Sequence, residues 1–122
     1  MGNSIIARPE WLAVHPEAMR AFVKCAIFAV KKSIADPAGA IAALKKYNSL
    51  VNDKLELESL GFSNTKAILT DNVKKNGISS FSAQRLDQVL AQISDALGIA
   101  KPARDEVWTP AYLPSSQALM LQ

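Results

Sequence analysis

At 122 residues, 49% of them hydrophobic and 20% charged, the chain has the length and composition of one folded domain; two full domains and a wholly disordered tail are both excluded. A single cysteine, Cys25, and a single histidine, His15, exclude an intramolecular disulfide and leave too few ligands for a Cys/His zinc site. The net charge of +3 is too small to point to nucleic acid unless the cations cluster on one face.

The chain opens on an apolar run, Ser4-Ile5-Ile6-Ala7, closed by Arg8-Pro9. It reads as a lone strand or an extended arm over residues 1–8. Pro9 suits the first turn of a short helix through Val14, and Pro16 starts a long helix over residues 16–35. Asp36-Pro37 then pairs a capping residue with a proline at the first helical position, which forces a bend into a second leg ending near Lys46.

Residues 47–52 read as a connector, and Asp53 with Glu56 forms a capping-box pattern that opens a third helical region. Gly61 leaves two alternatives: a helix that tolerates it at about 1 kcal/mol, or a break with a restart at Ser63 or Asn64. Lys74-Lys75-Asn76-Gly77 closes the region. Ser82 caps a helix over residues 83–97, with Leu86, Val89, Leu90, Ile93 and Leu97 on one face and Gly98 as its stop. Beyond it, Pro102, Pro110 and Pro114 predict an extended wrap over residues 99–122, with a frayed tail or a last helical turn after Ser115. The expected architecture is all-α: four to five packed helices at 9–98 between the arm and the wrap, in a single domain.

Chemistry-bearing patterns are sparse. Gly39, Gly61, Gly77 and Gly98 are isolated, so no glycine-rich phosphate loop is present. His15, beside Pro16 at a helix start, fits a capping or surface role. Cys25, in the middle of an apolar helix, fits a small hydrophobe better than a nucleophile. Glu56 and Glu58 are two residues apart and do not share a helix face. The pairs Lys31-Lys32, Lys45-Lys46 and Lys74-Lys75 each fall at the end of an expected helix, where cations offset the helix dipole. No catalytic residue, cofactor site or metal site is expected.

The long helix carries the strongest signal. Glu17, Arg20, Lys24 and Lys31 form a polar stripe, yet Ile27 falls inside it and Phe28 on its edge, while the rest of the circumference is apolar. Such a helix needs burial on more than one side. Phe22, Ile27 and Phe28, with Ile5 and Ile6 of the arm, are therefore the candidate interface residues of a homo-oligomer, a dimer in the first instance.

Three ordered stretches resemble a known family: Ile5-Ile6-Ala7-Arg8-Pro9-Glu10-Trp11-Leu12, His15-Pro16-Glu17-Ala18-Met19-Arg20-Ala21-Phe22-Val23 and Ala35-Asp36-Pro37-Ala38-Gly39-Ala40-Ile41. With Gly77-Ile78, Arg85-Leu86-Asp87 and the ending Val107-Trp108-Thr109-Pro110-Ala111-Tyr112-Leu113-Pro114, they resemble the C-terminal segment of substrate-binding proteins of ABC importers. The branch is the one that handles nitrate, taurine and other sulfonates, and thiamine pyrimidine precursors. The resemblance implies a helical cap region without most of the two ligand-binding lobes, and it carries over no ligand-binding residue.

The leading expectation is a non-enzymatic binding or interaction module that self-associates. One alternative is a small-molecule binder whose pocket gathers Trp11, Trp108 and Tyr112, since aromatic-lined clefts are common ligand sites. The other is a small nucleic-acid-binding regulator using the lysine pairs, which lack interleaved aromatics; no nucleic acid is expected as a partner. No stretch is long and apolar enough to insert in a membrane. The absence of a secretory leader places the chain in the cytoplasm as written, or in the periplasm if it belongs to a full-length binding protein.

Overall fold

The computed structural model describes residues 4–80 and 82–121. Residues 1–3 of the expected arm and Gln122 of the expected tail lie outside the described residues. Among those described, the chain is all-α, with eight α-helices and no strand. Four of the helices have seven residues or more.

Pro9 occupies the first turn of α1 (Pro9–Val14), where a missing N–H costs nothing. The His15 N–H closes that helix on the Trp11 carbonyl at 3.0 Å, and Pro16 at once opens α2 (Pro16–Ala35). Asp36 ends α2 and caps α3 (Pro37–Lys45), its Oδ1 accepting from the Gly39 N–H at 2.9 Å.

At α4 (Asp53–Ser63) the cap lies one residue earlier than the capping-box pattern predicts. Asn52 Oδ1 accepts from the Leu55 N–H at 3.1 Å. The Asp53 carboxylate is committed elsewhere, with both its oxygens 2.8 Å from Lys45 Nζ, tying α3 to α4. Gly61 does not break the helix. Instead α4 widens into a π-helical segment, Asn64–Ile68, in which the Leu69 N–H reaches back five residues to the Asn64 carbonyl at 2.7 Å. Thr65 Oγ1 donates to the Gly61 carbonyl at this point, and such back-bonding competes with the regular backbone ladder.

Thr70 caps α5 (Asp71–Asn76), and Ser82 caps α6 (Ala83–Leu97), its Oγ accepting from the Arg85 N–H at 3.2 Å. Gly98, with φ of 64°, terminates α6 in the left-handed conformation the sequence predicts. The wrap holds one unexpected single-turn helix, α7 (Arg104–Val107), between Pro102 and Pro110, and α8 (Ser116–Leu119) is the last helical turn, one of the two alternatives after Ser115. Asp87 of α6 anchors the start of the wrap, lying 3.7 Å from Lys101 and 3.3 Å from Arg104.

The main core is one face of α2. Met19, Val23 and Ile27 recur at four-residue intervals and are buried beneath Ala7, Leu12, Ile78, Tyr112, Leu113 and Leu119. Ile27, expected at an interface, is only 7% exposed, so it leaves the candidate set. The cluster it belongs to is covered by the chain itself, by Ala7, Leu12 and Ile78 together with the C-terminal Tyr112, Leu113 and Leu119, and a hydrogen bond of 2.9 Å runs from the Ile78 N–H to the Leu119 carbonyl. The polar stripe of α2 borders this core and does not oppose it. Along α6, Leu86 and Leu90 are buried, but Ile93 and Leu97 on the same apolar stripe emerge into solvent.

Candidate functional site

Surface area sets the question. The chain exposes 9283 Å², where a compact monomer of 13.2 kDa exposes about 6,400 Å². Among the described residues no side chain is fully withdrawn from solvent. Large apolar groups that a closed core would take in stand in water instead, among them Tyr47, Leu50, Leu55, Phe62, Ile93 and Leu97. The core is thin, and contiguous apolar groups of this size in water mark a surface to be accounted for.

The most regular exposed patch runs along the outer face of α2. Ala18, Phe22, Cys25, Ala29 and Lys32 are all exposed and follow one another at intervals of four and three residues, the spacing that keeps one helical seam in line. Ala21 and Phe28, also exposed, flank that seam. Phe22 is 57% and Phe28 61% exposed, and the Lys32 ammonium sits 5.7 Å from the centre of the Phe28 ring, a cation–π contact that half-covers an otherwise wet aromatic face. Glu17 marks the N-terminal end of the patch and is paired with Arg20. The helix is thus apolar on two sides, one filled by its own chain and one open.

Of the residues expected at an interface, Phe22 and Phe28 share this face, and Ile5 and Ile6 stand exposed on the arm, Ile6 at 91%. Ala7 anchors the arm to the opposite side of α2, on the core. The small members of the seam, Ala18, Cys25 and Ala29, with Ala21 on its flank, escape a reading that looks for large side chains. Their signal is the spacing itself.

Trp11, Trp108 and Tyr112 occupy separate settings. Trp11 is exposed on α1 with its ring centre 5.1 Å from that of His15. Trp108 is half-buried behind α7, its backbone N–H donating to the Arg104 carbonyl at 2.9 Å. Tyr112 packs on the α2 core with the Arg20 guanidinium 5.7 Å over its ring. Two of the hollows on the described surface are each lined by residues other than these aromatics. One, of about 440 Å³, lies between α3 and α4 over Ile41, Ala42 and Leu57 beside the Lys45–Asp53 pair. The other, of about 520 Å³, surrounds Asp87, Lys101 and Arg104.

Polar chemistry is thin throughout. Asn64 Oδ1 and Ser94 Oγ are buried without a hydrogen-bond partner, and they belong to different helices. Among the described residues no cluster of His, Cys, Asp and Glu could hold a metal ion, and no helix is long and apolar enough to cross a membrane. Lys32, Lys45, Lys74 and Lys75 each lie in the last turn of a helix, where they offset the dipole.

Compared with known protein families, curated proteins and solved structures, the chain matches none.

Proposed function

We propose that this chain is a non-enzymatic interaction module, related to the C-terminal part of ABC-importer substrate-binding proteins, which covers its open apolar surface with a second copy of itself. The observation that carries the reading is the area: the chain exposes 9283 Å², about 2,900 Å² more than a compact monomer of its mass. Obligate dimers bury roughly 2,000 Å² or more in total, about 1,000 Å² from each partner. The surplus on one chain exceeds that requirement. A helical body clasped by a proline-punctuated C-terminal segment also agrees with the cap region that the resemblance implies.

Sedimentation across a range of micromolar concentrations tests the proposal. A dimer whose population rises with concentration is the expected result. A chain that stays monomeric at high micromolar concentration while melting in one cooperative transition overturns it, because the exposed surface would then be tolerated by a solitary molecule.

A further inference from the structure

The outer face of α2 has a symmetry that points to how a second copy sits on it. About Cys25, the exposed residues are arranged in pairs: Ala21 with Ala29, Phe22 with Phe28, and Ala18 with Lys32, each pair equally far before and after the cysteine. We infer that two copies pair through this face with their α2 helices antiparallel, related by a twofold axis that passes beside Cys25. The inference rests on the self-association proposed above and specifies its surface.

Size complementarity supports this register. A twofold axis lying across the two helices keeps each flank of one α2 beside the same flank of the other while reversing its direction. On one flank Phe22 then meets Ala29 of the second copy, and on the other Phe28 meets Ala21 of the second copy. Each large ring settles on a small side chain, so the helices approach closely without leaving a void. The four rings, 57% and 61% exposed in the single chain, lose their contact with water together. A parallel twofold also seats rings on alanines, Phe22 beside Ala21 of the second copy and Phe28 beside Ala29, so the packing fixes the register about Cys25 and the charges fix the direction.

Charge gives the direction. Glu17 and Lys32 sit at opposite ends of the patch, both exposed. Antiparallel pairing brings the carboxylate of each copy to the lysine of the other at both rims of the interface, whereas parallel pairing stacks like charges. Lys24, exposed in the single chain, meets its counterpart beside the axis at the rim, one solvent-screened like-charge contact against the two opposite-charge contacts at the ends.

Cys25 is the single cysteine of the chain and is exposed, so it reports the geometry without engineering. With a short bis-maleimide, the dimer should be captured through Cys25 on both copies. Polarity is read separately in a Cys25→Ser background. Ala18→Cys chains alone should not cross-link, because antiparallel pairing sets the two copies of that position about 20 Å apart along the axis. A mixture of Ala18→Cys and Lys32→Cys chains should cross-link to each other. Exchanging Phe22 and Phe28 together for serine should weaken the dimer by about a hundredfold or more.

Sedimentation separates the two levels of the claim. A dimer that Cys25 does not capture, or one in which Ala18→Cys captures itself, overturns the antiparallel pairing and leaves self-association standing on another surface. A monomer overturns both.

Discussion

Exchanging Ile27 for alanine and, separately, Phe22 for alanine sets the two faces of α2 against each other. Ile27 is 7% exposed and shares its cluster with Met19 and Val23. Truncating a buried isoleucine to alanine removes its transfer free energy and leaves a cavity, a loss of about 2–5 kcal/mol. Here the lower half of that range applies. No described side chain is fully buried, so the cover of Leu113 and Leu119 can settle inward, and about 2–3 kcal/mol is expected. Phe22 is the larger side chain, but at 57% exposure its removal should change the stability of the monomer by no more than about 0.5 kcal/mol. Urea unfolding followed by circular dichroism, at a concentration where the chain is monomeric, measures both. The order of the effects must be the reverse of the order of the side-chain sizes. Equal losses at the two positions would show that the outer face is covered by its own chain, and the reasoning would fail.

Three further outcomes follow from the fold. Gly77 has φ of +87°, and a Cβ there would come within about 3.0 Å of Leu119, so Gly77→Ala should cost about 1–3 kcal/mol and release the C-terminal segment; unchanged hydrogen-exchange protection at Ile78 would count against this. Ser79 has φ of 66° outside any glycine, so Ser79→Gly should relieve strain and leave stability equal or raised by up to about 1 kcal/mol, read as a higher melting temperature. Asp87→Ala removes the partner of Lys101 and Arg104, but all three groups are well exposed to solvent, so the loss should stay below about 1 kcal/mol and vanish in high salt.

What the sequence makes legible is what is decided locally. Ser82 and Gly98 delimit α6 because a cap and a left-handed stop act within a few residues of themselves, and Asp36-Pro37 makes its bend for the same reason. Asn52 displaces Asp53 as a cap because Lys45, eight residues earlier, engages the Asp53 carboxylate, a contact that no local pattern contains. The π-helical segment coincides with a side-chain hydrogen bond from Thr65 to Gly61, which leaves no mark on the apolar period. The candidate surface is legible in part. Phe22, Phe28, Ile5 and Ile6 stand out as large apolar groups without an evident home. Ile27 is assigned to the wrong side, the interface instead of the core, because a helix apolar around most of its girth does not declare which face turns inward. That choice belongs to Tyr112, Leu113 and Leu119, far along the chain.

In the proposed dimer, a helix with two apolar faces would also couple association to folding. The core under Met19, Val23 and Ile27 and the face carrying Phe22, Cys25 and Phe28 share one backbone, so the pairing of two outer faces would hold the inner face in its helical form. For a dimer that unfolds to two free chains, each tenfold rise in protein concentration adds about 1.4 kcal/mol to its apparent stability. The melting temperature of the native chain should therefore climb with concentration, while that of the chain carrying Phe22→Ser and Phe28→Ser should stay level. Both should converge at high dilution, since serine at exposed positions leaves the inner core untouched. A double variant whose melting temperature climbs as steeply as that of the native chain would place the association on other residues and sever the link between the two faces.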